Sequence, residues 1–269
     1  MNKETLMVVN KHKDIIINKY TEYNEDERLV SDRGHNLEYL TTMRYIQKFL
    51  KPDAKILEIG AATGRYSIAL AKMGYDVTAV DLTPKNVEVM KSKSKRLKNF
   101  NCMVGDALDL SMLEDKTFDM VLNLGPMYHL FNKKDKNKAI SETLRVAKKG
   151  AICMFAYLPC ASLMTGYGLR HQAVSRLDEV MDNAGRFKDI PEEIFNAFHI
   201  EDFKKLFDKT NTKYITNVAT DGIAYAMREW VEQLSKKDYD AFVKWHFLTC
   251  ERLDQQGYSA HLLYICKKK

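Results

Sequence analysis

The sequence of 269 residues contains only five cysteines, and none of them stands in a C-x-x-C pair. An odd number of scattered cysteines argues against a disulfide framework or a zinc site, and it favours reduced thiols in a bacterial-type cytoplasm. The sequence also lacks any apolar run of roughly 18 residues, the length that a membrane-spanning helix requires. Its first residues, MNKETLMVVNKHKD, lack the apolar core and cleavage site of a signal peptide, so we expect a cytoplasmic protein.

Ligand-type spacing of histidines and a clustered basic patch are missing as well. The histidines other than His129 show no metal-ligand pattern, so we expect no metal. The formal net charge is +6, but lysines and arginines alternate with acids along the whole chain. The densest run, KSKSKRLKN from Lys91, is typical of the exposed end of a helix. We therefore expect neither a membrane nor a nucleic acid as partner.

What the sequence does contain is a regular alternation of strands and helices from Lys55 to Tyr157. Thr83 and Pro84 fit the N-cap and first helical position of the second helix. Gly74 and Gly150 are expected to end two of the helices. Strict alternation predicts a parallel sheet covered by helices on both faces. The five predicted strands are KILEIG, DVTAVD, NCMVGD, FDMVLNLG and AICMFAY.

The remaining segments predict helical additions to this sheet. Apolar residues at one helical face precede it, and KYITNVAT and SAHLLYIC predict two further strands after it. We expect mostly helix between residues 159 and 200 and one long helical stretch from Ala224 to Gln256. The prediction is a single domain over 1–269, divided into an N-terminal helical cap (1–50), a core (51–157), a helical lid (158–200) and a completion of the sheet (201–269).

A glycine turn follows the first strand in KILEIGAATGRYSIAL. Gly60 and Gly64 allow the backbone to pass close to a ligand, because no Cβ atom is in the way. The second strand ends at Asp81, 21 residues after Gly60, where a carboxylate can accept from two ribose hydroxyls. The third strand ends in another acid, Asp106. Ligand-type residues at three successive strand ends predict a nucleotide-like ligand at that edge of the sheet.

The turn differs from the dinucleotide fingerprint G-x-G-x-x-G. Ala62 stands at its second glycine and Arg65 at its third. The second glycine of that fingerprint makes room for a pyrophosphate, so its loss indicates a ligand without one. Glu58, two residues before the turn, also disfavours an anion at this position.

The stretch LEIGAATG resembles the first motif of class I S-adenosylmethionine-dependent methyltransferases, a hydrophobic residue, an acid and a glycine-rich turn, and departs from it at Ala62. The stretches FDMVLNLGPMYHL and LRVAKKGAICMFAY are similar to strands four and five of the bacterial small-molecule members. The resemblance covers about residues 50–157. It implies a doubly wound, mostly parallel seven-stranded α/β sheet, with an antiparallel last strand inserted between the fifth and sixth strands.

The resemblance also implies roles for single residues in binding S-adenosyl-L-methionine, with S-adenosyl-L-homocysteine as the product. Asp81 would bind the ribose, Leu82 would lie against the adenine, and Asp106, with Ala107 beside it, would accept from the adenine amino group. The methionine portion would contact six residues, of which Glu58 would support the ammonium: Glu58, Gly60, Ala61, Gly64, Asn123 and Leu124.

The sequence defines the binding site of the methyl acceptor less closely than that of the cofactor. His129 follows the fourth strand, and it is expected to act either as a general base or as a residue bonded within its turn. Tyr128 could stack on the acceptor, and Tyr167 lies in the predicted lid. In the N-terminal cap, Tyr20 and Arg28 could close over the cofactor, with Arg28 on the methionyl carboxylate.

Four functions therefore stay open. The first is methyl transfer to a small molecule by in-line displacement, by a monomer or a homodimer. NLGPMY is also similar to the Asn-Pro-Pro-Tyr motif of DNA and protein amine methyltransferases, with Leu124 and Gly125 in place of its first proline. The alternatives are a nucleic-acid methyltransferase, an NAD-type oxidoreductase and a non-catalytic S-adenosylmethionine-binding protein.

Overall fold

The computed structural model describes residues 3–23, 25–188, 190 and 193–269, without the side chains of residues 3–11 and Tyr167. The strands are β1 Lys55–Ile59, β2 Asp76–Asp81, β3 Phe100–Val104, β4 Phe118–Asn123, β5 Ala147–Tyr157, β6 Thr212–Ala219 and β7 Leu262–Lys268. The helices are α1 Lys3–Glu22, α2 Glu25–Arg28, α3 Arg33–Phe49, α4 Arg65–Lys72, α5 Pro84–Ser94, α6 Lys133–Val146, α7 Cys160–Leu163, α8 Leu177–Val180, α9 Ile200–Lys205, α10 Arg228–Gln233, α11 Lys236–Thr249 and α12 Leu253–Gln256.

All seven predicted strands are present, and they form one sheet in the order β3-β2-β1-β4-β5-β7-β6. The pairs β1 with β2, β1 with β4 and β2 with β3 are parallel, whereas β6 and β7 are antiparallel. Four of the five residues of β1 are buried, as expected for a strand covered on both faces. The predicted sheet and the place of its last strand between β5 and β6 are confirmed.

The chain divides into two compact units. The first unit comprises Met1–Asp26, Pro52–Cys153 and Asp189–Asn196, and the second comprises Glu27–Lys51, Met154–Lys188 and Ala197–Lys269. The predicted single domain and its boundaries stay predictions.

The first unit contains the glycine turn and the strands β1 to β4. Its helix α5 begins at Pro84 with Thr83 as N-cap, as predicted, although the Thr83 side chain makes no capping hydrogen bond. A core cluster packs α5 against the strands and the turn, and it buries Ala61, Ala79, Val87, Met90 and Cys102. This packing fixes the strand ends at which the predicted ligand residues lie.

The second unit contains α3, β6, β7 and the helices α9 to α12. The rings of Tyr157 and Phe203 stack with centroids 3.8 Å apart. In a separate core cluster, Leu37 of α3 packs with Ala224 and Val231. Asp32 caps α3, because its side chain accepts a hydrogen bond of 2.9 Å from the amide of His35.

Two helix predictions are wrong in detail. Helix α6 ends at Val146 rather than at Gly150, because β5 already begins at Ala147 and Lys148 pairs with Asp119 of β4 at 2.8 Å. The predicted helical stretch 224–256 is divided into α10, α11 and α12, since Ser235 caps a new helix there.

The predicted lid is only partly helical. Its first half contains α7, a π-helical turn Met164–Leu169, a 3-10 turn Val174–Arg176 and α8. The second half is irregular, with an isolated bridge between Met181 and Phe187. Residues 189, 191 and 192 of the lid lie outside the described residues. Within the described ranges, none of the helices has the length and apolar character needed to span a bilayer.

Candidate functional site

The glycine turn after β1 adopts left-handed backbone angles at three positions. The φ angles are 75° at Gly60, 47° at Ala62 and 82° at Gly64. A Cβ atom on Gly60 would stand 2.7 Å from Cδ of Pro126, and one on Gly64 would stand 2.9 Å from Cγ of Met90. The two glycines are thus required by backbone angle and by packing within the fold. The predicted reason, close passage of a ligand, stays a prediction.

Asp81 joins the end of β2 to this turn. Its Oδ2 accepts a hydrogen bond of 2.7 Å from the amide of Ala62, and its Oδ1 accepts from the amide of Thr83 at 2.9 Å and from Nδ2 of Asn86 at 3.0 Å. The side chain is buried, and burial raises the pKa of its carboxyl despite these donors. The carboxylate is held in one orientation, which suits the predicted ribose contact.

Glu58 lies inside β1 and is 1% exposed. Its Oε2 accepts hydrogen bonds from the amide of Ser67, at 2.9 Å, and from the Ser67 hydroxyl. Burial raises the pKa of Glu58 to about 8 and the charge of Asp81 adds to the rise, while Ser67 opposes it. At neutral pH the buried carboxyl therefore holds its proton in most molecules when no cation is near.

Asn123 ends β4 beside the turn, with Asn123 and Ile59 paired in register. Its Nδ2 donates to Oγ1 of Thr143 at 3.1 Å. Its Oδ1 is buried and has no hydrogen-bond partner among the residues that the structure describes. An unpaired buried acceptor is costly, so this oxygen fits a ligand donor such as an ammonium. Leu124 follows Asn123, and its amide donates to the carbonyl of Ile59 at 3.2 Å.

The acid after β3 makes an ion pair rather than standing alone. Oδ1 of Asp106 accepts from the amide of Leu108 at 2.9 Å, and Oδ2 pairs with Nζ of Lys13 in α1. Ala107 is buried beside it, and Leu82 is half-buried. The predicted adenine contact of Asp106 stays a prediction, and it would compete with Lys13.

Helix α1 contacts the same end of the first unit at further points. The hydroxyl of Tyr20 is 2.9 Å from Nε2 of His129, and Nε2 of His12 is 2.9 Å from the carbonyl oxygen of His129. Asp26 of the following helix α2 accepts from Oγ1 of Thr63 in the glycine turn at 2.9 Å. The N-terminal segment thus covers part of the edge at which the predicted cofactor residues lie.

His129 has both ring nitrogens in hydrogen bonds. Nδ1 lies 2.8 Å from the carbonyl oxygen of Ile194, so Nδ1 carries the proton and Nε2 accepts from Tyr20. Burial lowers the pKa of His129 to about 4, with a smaller contribution from His12. A general base at this position would have to break the bond to Tyr20. The base role stays a prediction, but this geometry disfavours it.

The other predicted acceptor residues differ in how far the structure defines them. Tyr128 donates through its hydroxyl to the carbonyl of Leu124 at 3.0 Å. The side chain of Tyr167 lies outside the described part of the chain. In the second unit, the guanidinium of Arg28 donates to both oxygens of Glu38, at 2.8 and 3.0 Å. Arg28 is thus bound to a protein carboxylate where a methionyl carboxylate was predicted.

The sequence interpretation missed one group of residues. Glu38, Asp221 and His261 of the second unit bring potential metal-ligand atoms within 4.8 Å of one another. Arg28 occupies both oxygens of Glu38, and Oδ1 of Asp221 accepts from Ser259 and from the amide of Ala260. These carboxylate oxygens are already bonded within the protein, so the group is an ion-pair network rather than a set of ligands waiting for a metal ion. Its one signal in the sequence is that Asp221 follows β6 and His261 precedes β7.

The strand order 3-2-1-4-5-7-6 and the glycine turn after β1 are those of the class I S-adenosylmethionine-dependent methyltransferase fold. Acids lie within β1, at the end of β2 and two residues after β3. Residues 57–155 match the family model described as a methyltransferase domain. This match covers less than half of the chain, and it lies within the segment that contains the glycine turn and the strands β1 to β5.

The chain is similar to several named proteins. It is 33% identical over 146 residues to demethylmenaquinone methyltransferase of Clavibacter sepedonicus, covering 52% of this chain and 58% of the relative. It is 30% identical over 116 residues to EEF1A lysine methyltransferase 2 of Homo sapiens, covering 39% and 49%. The matches thus span about half the length of these relatives. A solved S-adenosylmethionine-dependent methyltransferase of Methanosarcina mazei shares the fold, with a TM-score of 0.56, 17% identity, and coverage of 83% and 96%.

Proposed function

We propose that this protein transfers the methyl group of S-adenosylmethionine to a small-molecule acceptor. The observation that carries the proposal is a set of buried hydrogen-bond acceptors within β1 and at the ends of β2 and β4. Glu58 is a buried acid with a raised pKa, Asp81 is a fixed carboxylate, and Asn123 has a buried oxygen without a partner among the described residues. These groups suit a ligand that carries an ammonium and a sulfonium.

Each residue of the site has a distinct part. Asp81 binds the ribose hydroxyls, while Glu58 and the oxygen of Asn123 favour the ammonium. S-adenosylmethionine, when bound, supplies an electrophilic methyl carbon. The contribution of the protein is alignment of the acceptor and exclusion of water, which can supply several kcal/mol of the barrier, up to about 7–11. The product is S-adenosyl-L-homocysteine.

A small molecule is the preferred acceptor because the first similar relatives are demethylmenaquinone methyltransferases. Because a lysine methyltransferase is also among the similar proteins, amines are included among the acceptors to be tested. The five cysteines, all in described positions, are free thiols and support a cytoplasmic location. A bacterial source agrees with the organisms of the demethylmenaquinone methyltransferases among the relatives. The state of association, monomer or homodimer, is carried as a prediction.

The test combines binding and turnover. Calorimetry with S-adenosylmethionine and with NAD separates the two cofactor classes, and labelled methyl transfer to thiols, phenols, amines and carboxylates identifies the acceptor. Bulk DNA and RNA are included as acceptors. Binding of S-adenosylmethionine without transfer to any acceptor would contradict the proposal and favour a non-catalytic binding protein.

A further inference from the structure

Residues 193–196, the last described residues of the first unit, are attached to the turn that follows β4. We call them the Phe195 segment, and the turn is a 3-10 turn at Pro126–His129. The amide of Asn196 donates to the carbonyl of Tyr128 at 2.6 Å, and its Nδ2 donates to the carbonyl of Leu130 at 2.9 Å. Two hydrogen bonds from one residue therefore join parts of the unit that are far apart in the sequence.

His129 attaches the other end of the Phe195 segment. Its Nδ1 donates to the carbonyl of Ile194 at 2.8 Å. His129 and Asn196 are 9% and 1% exposed. Buried polar groups require hydrogen-bond partners, and these two side chains use theirs to hold the segment and the turn together. Phe195 is thus flanked on both sides by residues whose positions are fixed.

Phe195 itself stays in contact with solvent. It is 40% exposed, whereas the other phenylalanines, all in described positions, are buried or half-buried. A single exposed apolar residue is ordinary at a protein surface and carries no argument by itself. Phe195 differs because buried groups fix the backbone on both sides of it. Less conformational entropy is then lost when a ligand packs against its ring.

The ring of Phe195 extends a group of aromatic rings. Its centroid lies 6.1 Å from that of Tyr128 and 5.3 Å from that of His129. The rings of Tyr128 and His129 are 4.8 Å apart, with their planes at 66°. These distances are within the range in which aromatic rings attract one another. Because Tyr128 is half-buried and Phe195 is exposed, these two rings form a partly accessible surface, which we call the aromatic surface.

Tyr128 places the aromatic surface beside the glycine turn. Its hydroxyl donates to the carbonyl of Leu124 at 3.0 Å. A Cβ atom on Gly125 would stand 3.3 Å from the carbonyl oxygen of Gly60 and 3.8 Å from the hydroxyl of Tyr128. The hydroxyl therefore lies close to Gly60 and Leu124, two residues proposed to contact the methionine portion of the cofactor. That portion carries the methyl group that is transferred, so an acceptor has to lie beside it.

The ring of His129 next to the aromatic surface carries no charge at neutral pH. Burial lowers the pKa of His129 to about 4, with a smaller contribution from His12. Its Nε2 accepts from the hydroxyl of Tyr20 at 2.9 Å, and the two rings lie 5.4 Å apart. The rings of Tyr20, Tyr128 and Phe195 thus surround a neutral imidazole. Aromatic groups of this kind are the usual lining of a site for an apolar small molecule.

We propose that Tyr128 and Phe195 bind the methyl acceptor and that this acceptor carries its reacting atom on a planar aromatic ring. The inference rests on the proposed function and names the substrate class of that site. Stacked or edge-to-face contacts between rings add to the gain from buried area, by about 2- to 10-fold in affinity. A saturated acceptor of the same size gains from burial alone. His129 and Asn196 are positioning residues, because they act through Phe195.

The test compares two ligands with the same carbon skeleton, 2-naphthol and decahydro-2-naphthol. Calorimetry in the presence of S-adenosyl-L-homocysteine measures their affinities without turnover. We expect the wild type to bind the planar 2-naphthol about 2- to 10-fold more tightly than its saturated counterpart. Phe195→Leu keeps an apolar side chain but removes the ring. It should therefore weaken the binding of 2-naphthol by about the same factor and change that of decahydro-2-naphthol little.

Further variants supply the control and test the positioning role. Tyr75→Leu removes a half-buried ring that precedes β2, at the edge of the sheet opposite Asp81, and should leave the preference for 2-naphthol unchanged. His129→Ala should weaken 2-naphthol binding in the wild type but not further in Phe195→Leu, since the two residues act together. His129→Gln keeps a donor for the carbonyl of Ile194 and should restore part of the preference. If the His129 variants do not fold, Phe195→Leu decides alone.

The outcomes are distinct. Equal affinities of the wild type for the two ligands, no binding of either, or an unchanged preference in Phe195→Leu would overturn the aromatic acceptor and leave methyl transfer itself untouched. Equal weakening of both ligands in His129→Ala, in both backgrounds, would overturn the positioning role in favour of a purely structural one. A preference for 2-naphthol without methyl transfer to any acceptor would contradict the proposed function, and the role of the aromatic surface in binding an acceptor with it.

Discussion

Glu58 in the first unit and Glu38 in the second are both nearly inaccessible to water, at 1% and 7% exposure. Their pKa values nevertheless move in opposite directions. Burial raises the pKa of Glu58 to about 8, because only the neutral donors of Ser67 oppose it. Burial acts on Glu38 too, but Arg28 and His261 outweigh it and lower the pKa to about 2.

The difference indicates what each acid is for. Glu38 has its cation within the protein, and its charge is already balanced in the free state. Glu58 has no cation of its own among its described contacts, and its charge becomes favourable when a positively charged ligand arrives. The charge of Glu38 is neutralised by a cation of the protein itself, whereas the buried carboxyl of Glu58 is suited to a cationic ligand.

The largest effect on stability is expected when Glu38 loses the cation that balances its charge. Arg28→Ala removes the bidentate partner and leaves the charge of Glu38 buried beside Asp221. We expect a loss of about 3–5 kcal/mol in the free energy of unfolding, measured by urea denaturation. Arg252→Ala, which breaks an exposed pair with Asp254 in the same unit, is the control and should change stability little. Equal, small losses would show that Glu38 does not depend on Arg28.

The next effect concerns the pH dependence of stability from Glu58. The folded pKa of about 8 exceeds the unfolded value of 4.5, so the folded state binds this proton more tightly between those values. Stability should therefore fall by up to about 5 kcal/mol as pH rises from 4.5 to 8, and then level off.

Glu58→Gln should remove this slope, whereas Glu88→Gln, at an exposed position of α5, should keep it. Calorimetry of S-adenosylmethionine binding at pH 7, in buffers of different ionisation enthalpy, should also show proton release in the wild type and none in Glu58→Gln. Equal slopes in wild type and Glu58→Gln would mean that another group holds the proton.

Asp81 tests the ligand side of the same comparison. Asp81→Ala removes charge-assisted hydrogen bonds to the ribose and should weaken S-adenosylmethionine binding by about 1.5–3 kcal/mol in calorimetry. Asp76→Ala, at the exposed opposite end of β2, is the matched control and should bind as the wild type does. An unchanged affinity in Asp81→Ala would show that this carboxylate does not contact the ligand.

The smallest effect is expected for the hydrogen bond between the uncharged side chains of Tyr20 and His129. Tyr20→Phe removes the hydroxyl that donates to Nε2 of His129 and leaves that nitrogen without the Tyr20 donor, which should cost about 1–1.5 kcal/mol in thermal unfolding. Tyr23→Phe, at a position that is 47% exposed, is the control. A loss no larger than that of the control would show that α1 does not depend on this bond.

The sheet was predictable from the sequence because its signals are local. Each strand is a short apolar run followed by a turn, so the edge that carries Glu58, Asp81 and Asp106 follows from the chain order. The end of α6 was not predictable, because Gly150 is a common helix terminator and only the pairing of Lys148 with Asp119 shows the strand.

The contacts among Arg28, Glu38, Asp221 and His261 could not be predicted for a different reason. Glu38 and His261 lie more than 200 positions apart, and no local pattern reports that Arg28 will meet Glu38. His129 was chosen as the base because it follows a strand, but burial and its two partners were invisible in the sequence. Long-range contacts decide which ring nitrogens of a histidine are already hydrogen-bonded, and a single sequence carries no signal for these contacts.

The contacts of α1 and α2 have a consequence for the rates at which a nucleoside binds and dissociates. Lys13 of α1 pairs with Asp106, the acid proposed to bind the adenine, and Tyr20 of α1 bonds to His129. Asp26 of α2 bonds to Thr63 of the glycine turn. If Asp106 binds the adenine as proposed, a nucleoside that enters has to displace Lys13 from Asp106, and the N-terminal segment has to move again when the product leaves. We therefore expect arrival and departure to be slowed together, so that turnover is limited by the residence time of the product. Stopped-flow measurement of product dissociation in Lys13→Met, compared with steady-state turnover, would reveal such a gate.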